Sequence, residues 1–131
     1  MNSRNSGRAE LVEEIVDVST PAGAMAVLRK RPARDSCPAV VMFHDGPGIR
    51  GATHEFASKL ADAGFDVVVP DLYHRHGRMI GYELHQRQAD PSLVDQLWKM
   101  LKSLNDEEIQ SDLDATLEQI GLDRSLSLIH I

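Results

Sequence analysis

The sequence contains one cysteine, few aromatic residues and no long apolar run, and these shortages exclude several classes of protein. A single thiol, Cys37, cannot form an internal disulfide framework and is compatible with a reducing compartment. No apolar run approaches the roughly 18 residues of a membrane span, and the polar segment Met1 to Arg8 lacks the core of a signal peptide. We therefore expect a cytoplasmic protein that has no membrane partner.

Positive charge is also in short supply. The chain has 14 Lys and Arg against 20 Asp and Glu, which gives a net charge of −6. Because nucleic-acid binding relies on basic side chains that neutralise phosphates, we do not expect a nucleic-acid partner. With 42% hydrophobic and 26% charged residues, the 131-residue chain has the composition and length of one globular domain. The oligomeric state stays open.

Acidic residues are concentrated between Asn105 and Asp123, a segment without Lys or Arg. This pattern favours the solvated face of a helix over an acidic docking surface. The carboxylates are Asp106, Glu107, Glu108, Asp112, Asp114, Glu118 and Asp123.

The first third of the chain predicts a β-hairpin. Leu11 to Ser19 is rich in valine and isoleucine, and Ala24 to Arg29 follows after the turn residues Thr20 to Gly23. The charged triplet Arg29-Lys30-Arg31 precedes Pro32, and it predicts the end of the hairpin or a loop rather than a helix.

The middle of the chain predicts a β-α-β unit. Ala39 to Phe43 is continuously apolar, which is typical of a strand covered on both faces in a parallel sheet. A helix is predicted from Thr53 to Ala63, where Gly64 stands at the usual place of a left-handed cap. Phe65 to Pro70 is a second strand of the buried type. Together they form a right-handed crossover of an α/β fold.

Two more helices are predicted after a long loop from Asp71 to Gly81. Asp90 and Pro91 have the order of an N-cap and a first helical residue, and Asn105 has the position of the next N-cap. The two apolar faces consist of Leu93, Leu97, Leu101 and Leu104 in the first helix, and of Ile109, Leu113, Leu117 and Ile120 in the second. Since a parallel sheet needs a further strand after this helix, we expect an incomplete α/β sheet.

The loop from His44 to Gly48 follows the first buried strand, where open α/β sheets bind ligands. Glycine allows close backbone approach, and a free N–H at such a position can donate to a developing oxyanion. A tight turn without chemistry explains the same pattern equally well. Gly46, Gly48 and Gly51 also fit the bare spacing of a dinucleotide fingerprint, although Pro47 supplies no N–H. The alternative function is thus a small α/β module that binds a nucleotide or another anion.

Six histidines raise the question of a metal site. His74 and His76, with His44, Asp45 or Asp71 as further ligands, have suitable chemistry, but nothing in the sequence shows that they converge. Loop and surface histidines are favoured, and we expect no metal and no cofactor.

No nucleophile is evident in the chain. Cys37 precedes a strand and so lies at the wrong edge of the sheet for catalysis. The glycines with the spacing of a nucleophile elbow, Gly77 and Gly81, flank Met79, which cannot attack a carbonyl carbon.

Three segments, Pro38 to Arg50, Leu60 to Phe65 and Val69 to Gly77, together resemble the N-terminal half of the dienelactone hydrolase family, which has the α/β-hydrolase fold. The most specific piece is Pro-Asp-Leu-Tyr at residues 70–73. Asp112 to Ala115 resembles the helix before the family's nucleophile strand. The resemblance covers roughly residues 24–122.

The resemblance implies hydrolysis of a small ester or lactone by a Cys–His–Asp triad. All three triad residues lie downstream of this chain in the family, so we expect the chain alone to be inactive. Gly46 matches a backbone donor of the oxyanion hole. Asp45 matches a position where many members have glutamate beside that donor. The arginines that hold a substrate carboxylate in the lactone-cleaving members have no secure counterpart, which leaves the substrate open.

The last six residues, Leu126 to Ile131, are those that one reading frame of a transposon end used in sequencing-library preparation would encode. We therefore expect a partial α/β-hydrolase domain over residues 1–125 and a non-native tail over residues 126–131.

Overall fold

A computed structural model of the chain describes residues 10–34 and 36–122 and the backbone path of residues 126–130. The strands are β1 (Leu11–Thr20), β2 (Gly23–Pro32), β3 (Ala39–Phe43), β4 (Asp66–Pro70) and β5 (Leu126–His130). The helices are α1 (Gly51–Asp62), α2 (Leu84–Ala89), α3 (Pro91–Ser103) and α4 (Asp106–Gln119). No helix in these ranges is long and apolar enough to cross a bilayer.

The described strands form one mixed sheet in the order β1-β2-β4-β3-β5. The hairpin strands β1 and β2 are antiparallel, β2 also pairs antiparallel with β4, and β3 pairs parallel with both β4 and β5. This arrangement confirms the predicted hairpin, the β3-α1-β4 crossover and the α/β fold class.

Helices cover both faces of the sheet, which explains why β3 and β4 are apolar at consecutive positions. Val41 and Val68 pack on the face covered by α4, whereas Met42, Val67 and Val69 pack on the face covered by α1. Successive side chains of a strand point to opposite faces, so a strand with two covered faces needs apolar residues throughout. Every residue of β3 and β4 is buried, as predicted.

The charged triplet lies at the end of the hairpin strand β2, which is one of the two predicted alternatives, and the loop alternative is wrong. Residues 29–31 belong to β2, which continues to Pro32 beside β1. Two of the charges have partners here, because Arg29 forms a bidentate pair with Asp66 and the Lys30 ammonium donates to Ser58 Oγ. Partners far along the chain thus compensate the cost of placing charge in a half-covered strand.

The caps of α3 and α4 confirm the predicted starts of both helices. Asp90 accepts a hydrogen bond from the Ser92 amide, and Asn105 accepts one from the Glu108 amide at 2.9 Å. The predicted apolar stripe of α4 packs against the sheet. The stripe of α3 is partly wrong, because Leu97 and Met100 are its buried residues and Leu101 is exposed. The short helix α2 has no buried residue and left no apolar pattern to predict it.

The interpretation of the acidic segment as a solvated face holds for its exposed members but is wrong for Asp112. That carboxylate is fully buried on α4. The exposed members are Asp106, Glu107, Asp114 and Glu118, and Asp123 lies outside the described residues.

The backbone of β5 lies along β3, with Ala39 opposite Leu126 and Phe43 opposite His130. Every residue except proline supplies the N–H and C=O groups that such pairing needs, so the pairing does not test where these residues come from. The domain boundary at residue 125 stays a prediction, and residues 123–125 lie outside the described part.

Candidate functional site

Two loops leave the carboxyl ends of the neighbouring strands β3 and β4 and are joined to each other. We call residues 44–50 the β3 loop and residues 71–83 the β4 loop. Ile49 N donates to Ile80 O at 3.2 Å, and Tyr82 N donates to Pro47 O at 3.0 Å. Between them Gly48 has φ +88°, and a Cβ there would collide with the Ile80 carbonyl. The junction therefore requires glycine at position 48.

The peptide unit between Asp45 and Gly46 is held by its carbonyl group. Asp45 O accepts hydrogen bonds from His44 Nδ1 at 2.9 Å and from Gly48 N at 3.0 Å. The next carbonyl, Gly46 O, accepts a hydrogen bond from the Tyr73 hydroxyl at 2.6 Å. Because the peptide is planar and trans, these contacts also fix the direction of the Gly46 N–H, which points away from the Asp45 carbonyl.

The Gly46 N–H itself has no acceptor among the residues that the structure describes. Gly46 is half-buried and belongs to the lining of an apolar groove. A fixed and unpaired amide at the carboxyl end of a parallel strand is able to donate to an oxygen that gains negative charge.

His44 orients this amide. It lies in a loop, as predicted, but it is buried, so the surface part of that prediction is wrong here. Its side chain is buried, and Nε2 accepts a hydrogen bond from Leu72 N at 3.0 Å. The proton therefore lies on Nδ1, which donates to Asp45 O. Burial lowers the pKa of His44 below its ordinary value, despite nearby carboxylates, and keeps the imidazole neutral.

Asp45 pairs with Arg50 at the other end of the β3 loop. The Arg50 Nη atoms approach the two Asp45 carboxylate oxygens at 2.5 and 3.2 Å, and Arg50 also donates to Gly48 O. The Asp45 side chain is 34% exposed. The loop thus presents a partly exposed carboxylate one residue before the free amide.

Asp71 and Tyr73 build the wall behind the β3 loop. The buried Asp71 carboxylate accepts hydrogen bonds from Tyr73 N at 3.1 Å and Met79 N at 2.6 Å, while burial raises its pKa. Burial, with a smaller effect of Asp45, raises the pKa of Tyr73 to about 12. The phenol consequently keeps its proton and donates to Gly46 O.

A buried ion cluster holds the β4 loop against α4. Arg75 forms a bidentate pair with Asp112 at 2.9 and 3.0 Å, and His74 Nε2 lies 3.0 Å from the same carboxylate. His74 Nδ1 is buried without a partner in the described part of the chain. His74 is therefore a second buried histidine that the surface interpretation placed wrongly.

The metal hypothesis finds no support in this geometry. His44 and His74 serve separate hydrogen bonds, and His76 Nε2 lies 3.0 Å from Ser103 Oγ. Within the described ranges no group of three metal-ligating side chains converges.

An apolar groove of about 200 Å³ opens beside the Gly46 amide. Helix α3 forms one wall, where Trp98 is 54% exposed, and Arg87 of α2 stands at its edge. The Arg87 Nε donates to Tyr82 O at 3.1 Å, which holds the side chain against the β4 loop. The lining residues are Gly46, Pro47, Arg87, Val94, Leu97, Trp98 and Leu101.

Sequence reasoning missed this groove. It placed Leu97 and Leu101 in a core stripe and did not single out Trp98 or Arg87. The available signal was the second apolar row Val94, Trp98 and Leu101, which makes the apolar face of α3 wider than packing on one neighbour requires.

The β3 loop does not have the geometry of a phosphate cradle. Its amides at Gly48, Ile49 and Arg50, the three nearest to the start of α1, donate to acceptors within the protein and are not free to bind a phosphate. The Glu83 carboxylate stands against Gly51 at the start of α1 and would repel an anion there. A dinucleotide site needs several converging N–H groups at an unblocked helix start, and this loop lacks them.

Comparison with known proteins agrees with this fold. A putative dienelactone hydrolase from Klebsiella pneumoniae subsp. pneumoniae is 20% identical and superimposes with a TM-score of 0.73 over 93% of this chain and 50% of its own. A dienelactone hydrolase-like promiscuous phosphotriesterase from metagenomic libraries is 21% identical, with a TM-score of 0.61 over 92% of this chain and 49% of its own.

A cold-adapted esterase from an Arctic intertidal metagenomic library is 14% identical, with a TM-score of 0.62 over 92% of this chain and 50% of its own. The chain thus spans about half the length of these solved structures. No curated protein matches it in sequence. The model of the dienelactone hydrolase family matches residues 24–127, which include β2 from its second residue, β3, β4 and helices α1 to α4. The chain belongs to the dienelactone hydrolase family.

Proposed function

We propose that this chain supplies the oxyanion-binding part of a hydrolase that cleaves ester or lactone bonds by nucleophilic acyl transfer. The observation that carries the proposal is the Gly46 N–H, which is fixed by His44 and Tyr73 and has no acceptor in the described protein. When a nucleophile attacks a carbonyl carbon, the carbonyl oxygen becomes negative. An amide fixed beforehand stabilises that charge, by about 2.7–4 kcal/mol in known oxyanion holes.

In this proposal the nucleophile enters from the strand beside β3. The backbone of β5 runs parallel to β3 and its described part ends opposite Phe43, one residue before the β3 loop. Residues that continue from a strand in this position would emerge next to Gly46. We place the cysteine, histidine and aspartate of a family-type triad outside the 131 residues, and expect the chain alone to be inactive. Serine is the alternative nucleophile.

Asp45 has a supporting role in the proposed mechanism. Its carboxylate adjoins the Gly46 amide, but the ion pair with Arg50 holds it on the loop. Aspartate is also one methylene shorter than the glutamate that many family members have here. We propose that Asp45 acts on the nucleophile at a distance, as the negative end of this ion pair, and not by direct contact.

The groove beside Gly46 is proposed to receive the substrate. Its wall of valine, leucine and tryptophan favours an apolar acyl or alcohol group, and Arg87 gives the edge one positive charge. These features favour a small ester with a hydrocarbon part.

Two expression products test the proposal. The 131-residue chain and the product of the continuous gene that contains residues 1–125 are assayed with para-nitrophenyl acetate. We expect turnover by the longer product alone, and expect its sequence to contain a glycine-x-cysteine-x-glycine elbow after the strand in the β5 position. Turnover by the 131-residue chain, or a longer product without a thiol or hydroxyl at that position, would refute the assignment.

The nucleotide sequence tests the domain boundary separately. We propose that native sequence ends near residue 125 and that codons 126–131 derive from a transposon end. A second, independent reading of the locus that shows these six codons in genomic DNA would exclude this origin.

A further inference from the structure

The edge of the sheet opposite to Gly46 carries a second feature, a polar pocket of about 300 Å³. It lies where β3 and β4 begin, and three arginines contribute to its lining: Arg29, Arg31 and Arg34. The alternation of β2 puts Arg29 and Arg31 on the same face of the strand, and Arg34 follows in the next loop. This is the charged segment that the proposed hydrolase function leaves unexplained.

The carboxylate that lines this pocket, Asp66, already forms an ion pair with Arg29. Asp66 accepts hydrogen bonds from Arg29 Nε at 3.0 Å and from Arg29 Nη2 at 2.7 Å. Both of its oxygens are therefore bound to one guanidinium, and the Asp66 side chain is 9% exposed. Little of its negative charge is left for the other two arginines.

The Arg31 side chain has no hydrogen bond or ion pair among the described residues. Its Nε is buried without a hydrogen bond, and no carboxylate of the described chain pairs with its guanidinium. A half-buried cation without a counter-charge is costly, because it loses hydration and gains no ion pair in exchange. Such a group favours the uptake of an anion.

Arg34 completes the arrangement on the other side. Its Nε donates to Cys37 Sγ at 3.3 Å and its Nη2 donates to Gly64 O at 3.2 Å, which fixes the guanidinium. Nη1 has no partner in the part of the chain that the structure describes. The left-handed Gly64 allows this approach, since a Cβ there would lie 2.7 Å from Arg34 Nη2. The pocket thus combines one fixed fork with one unpaired fork.

We propose that this pocket binds a small oxyanion, carried by phosphate or by carboxylate, with Arg31 and Arg34 as its ligands. Guanidinium forks match the spacing of two oxygens on either group. The volume is at the lower end of small-molecule sites, which suits a ligand no larger than a phosphate ester or a dicarboxylate. The site lies at the opposite edge of the sheet from Gly46, is built from described residues, and does not depend on the proposed hydrolase function.

Cys37 provides a direct reporter because it lines the pocket and is the one cysteine of the chain. The rate of alkylation of Cys37 by iodoacetamide, a neutral reagent, is measured in the 131-residue chain as sodium phosphate replaces sodium chloride at constant ionic strength. We expect saturable protection by phosphate. Succinate in place of phosphate distinguishes the two sources, because the stronger protector identifies the favoured oxyanion.

Arg31→Gln is the test variant and Arg78→Gln the matched control. Arg78 is exposed, pairs with Asp17 and lies outside the pocket, so its replacement removes the same charge elsewhere. We expect Arg31→Gln to raise the phosphate concentration for half-protection about tenfold and Arg78→Gln to leave it unchanged. Arg31→Lys retains the charge without the fork and should lie between them, which keeps the test decisive if Arg31→Gln folds poorly.

Three results would overturn the proposal. These are the absence of saturable protection by either oxyanion, equal protection by chloride, and equal weakening by Arg31→Gln and Arg78→Gln. The last two would reduce the effect to general screening of charge.

Discussion

The β4 loop and the β3 loop leave adjacent strands at the same edge of the sheet, but they use their polar groups differently. The polar groups of the β4 loop have partners within the protein. Asp71 accepts hydrogen bonds from two amides of the loop, and Arg75 and His74 contact the buried Asp112 of α4. The β3 loop leaves the Gly46 N–H free. The difference shows how a protein keeps a donor available, since a well-paired loop holds the unpaired one in place.

The contacts between the loops make this dependence specific. Leu72 N donates to His44, Tyr73 donates its hydroxyl to Gly46 O, and Gly48 lies against the Ile80 carbonyl. These contacts, and the buried ion cluster of the β4 loop, can each be removed by one substitution. The expected loss in the free energy of unfolding decreases from the ion cluster to the single Tyr73 hydroxyl.

The largest effect is expected from Asp112→Asn. Loss of this fully buried charge leaves the Arg75 guanidinium without its bidentate partner, which costs about 3–5 kcal/mol when one member of a buried pair is removed. The free energy of unfolding from urea titration measures the loss. Asp114→Asn, an exposed site on the same helix, should change it by less than about 0.5 kcal/mol. Equal effects at both positions would contradict the importance of the cluster.

Gly48→Ala comes next, because it acts on the junction of the two loops. The left-handed backbone and the collision of the new Cβ with Ile80 O predict a loss of about 2 kcal/mol or more in the free energy of unfolding. Gly121→Ala is the control, since nothing lies within 4 Å of a Cβ there. Urea titration compares the two, and an unchanged midpoint for Gly48→Ala would show that the junction is not tight.

The dependence of stability on pH tests His44. Its pKa in the folded chain lies below the ordinary 6.5, so the unfolded chain binds a proton first as the pH falls below about 6.5. The stability that this group contributes is complete above that pH and is lost on acidification, by at most about 1.4 kcal/mol per pH unit. Asp71 contributes in the opposite direction. Because burial raises its pKa above the ordinary 3.8, its contribution to stability is complete below pH 3.8 and is lost as the pH rises from there.

His44→Gln separates the two groups because it retains Asp71. The free energy of unfolding is measured between pH 7.5 and 5, a range that includes the ordinary histidine pKa of about 6.5. It should fall less steeply on acidification in His44→Gln than in the unchanged chain. If the free energy of unfolding has the same pH dependence in both proteins, the pKa of His44 is not lower in the folded chain than in the unfolded chain.

The smallest effect is expected from Tyr73→Phe, which removes one hydroxyl. Loss of the hydrogen bond to Gly46 O should lower the free energy of unfolding by about 1 kcal/mol. Tyr82→Phe, a half-buried tyrosine of the same loop, serves as the control. If both variants unfold at the same urea concentration, Tyr73 does not support the β3 loop through its hydroxyl.

Local sequence patterns predicted the strands and helices that frame this site. The placement of its buried polar side chains depends on contacts between residues distant in sequence, which such patterns do not show. The apolar runs of β3 and β4 and the Asn105 cap were recognisable because each depends on neighbouring residues. Asp112 and His44 were misplaced because their partners, Arg75 and Leu72, are 37 and 28 residues away. A buried charge and a surface charge look alike in sequence until such a partner is known.

Gly46 of the β3 loop illustrates the same limit of prediction from sequence. Its position after a buried strand indicated a ligand site, and the family resemblance indicated an oxyanion donor. Neither could show that His44 and Tyr73 orient the peptide. The hydrogen bond from Leu72 N that sets the His44 ring and the hydrogen bond from Tyr73 to Gly46 O both depend on how the β4 loop returns to the site.

The most direct test of the central claim compares Gly46→Pro with Gly46→Ala in the product of the continuous gene. Alanine keeps the N–H, and its Cβ would meet only Leu101 at an ordinary 3.5 Å, whereas proline removes the N–H. With both variants shown to be folded by thermal unfolding, kcat/KM for para-nitrophenyl acetate should fall about 100-fold or more in Gly46→Pro and stay within a few-fold in Gly46→Ala. Equal kcat/KM values in the two folded variants would contradict an oxyanion donor at position 46.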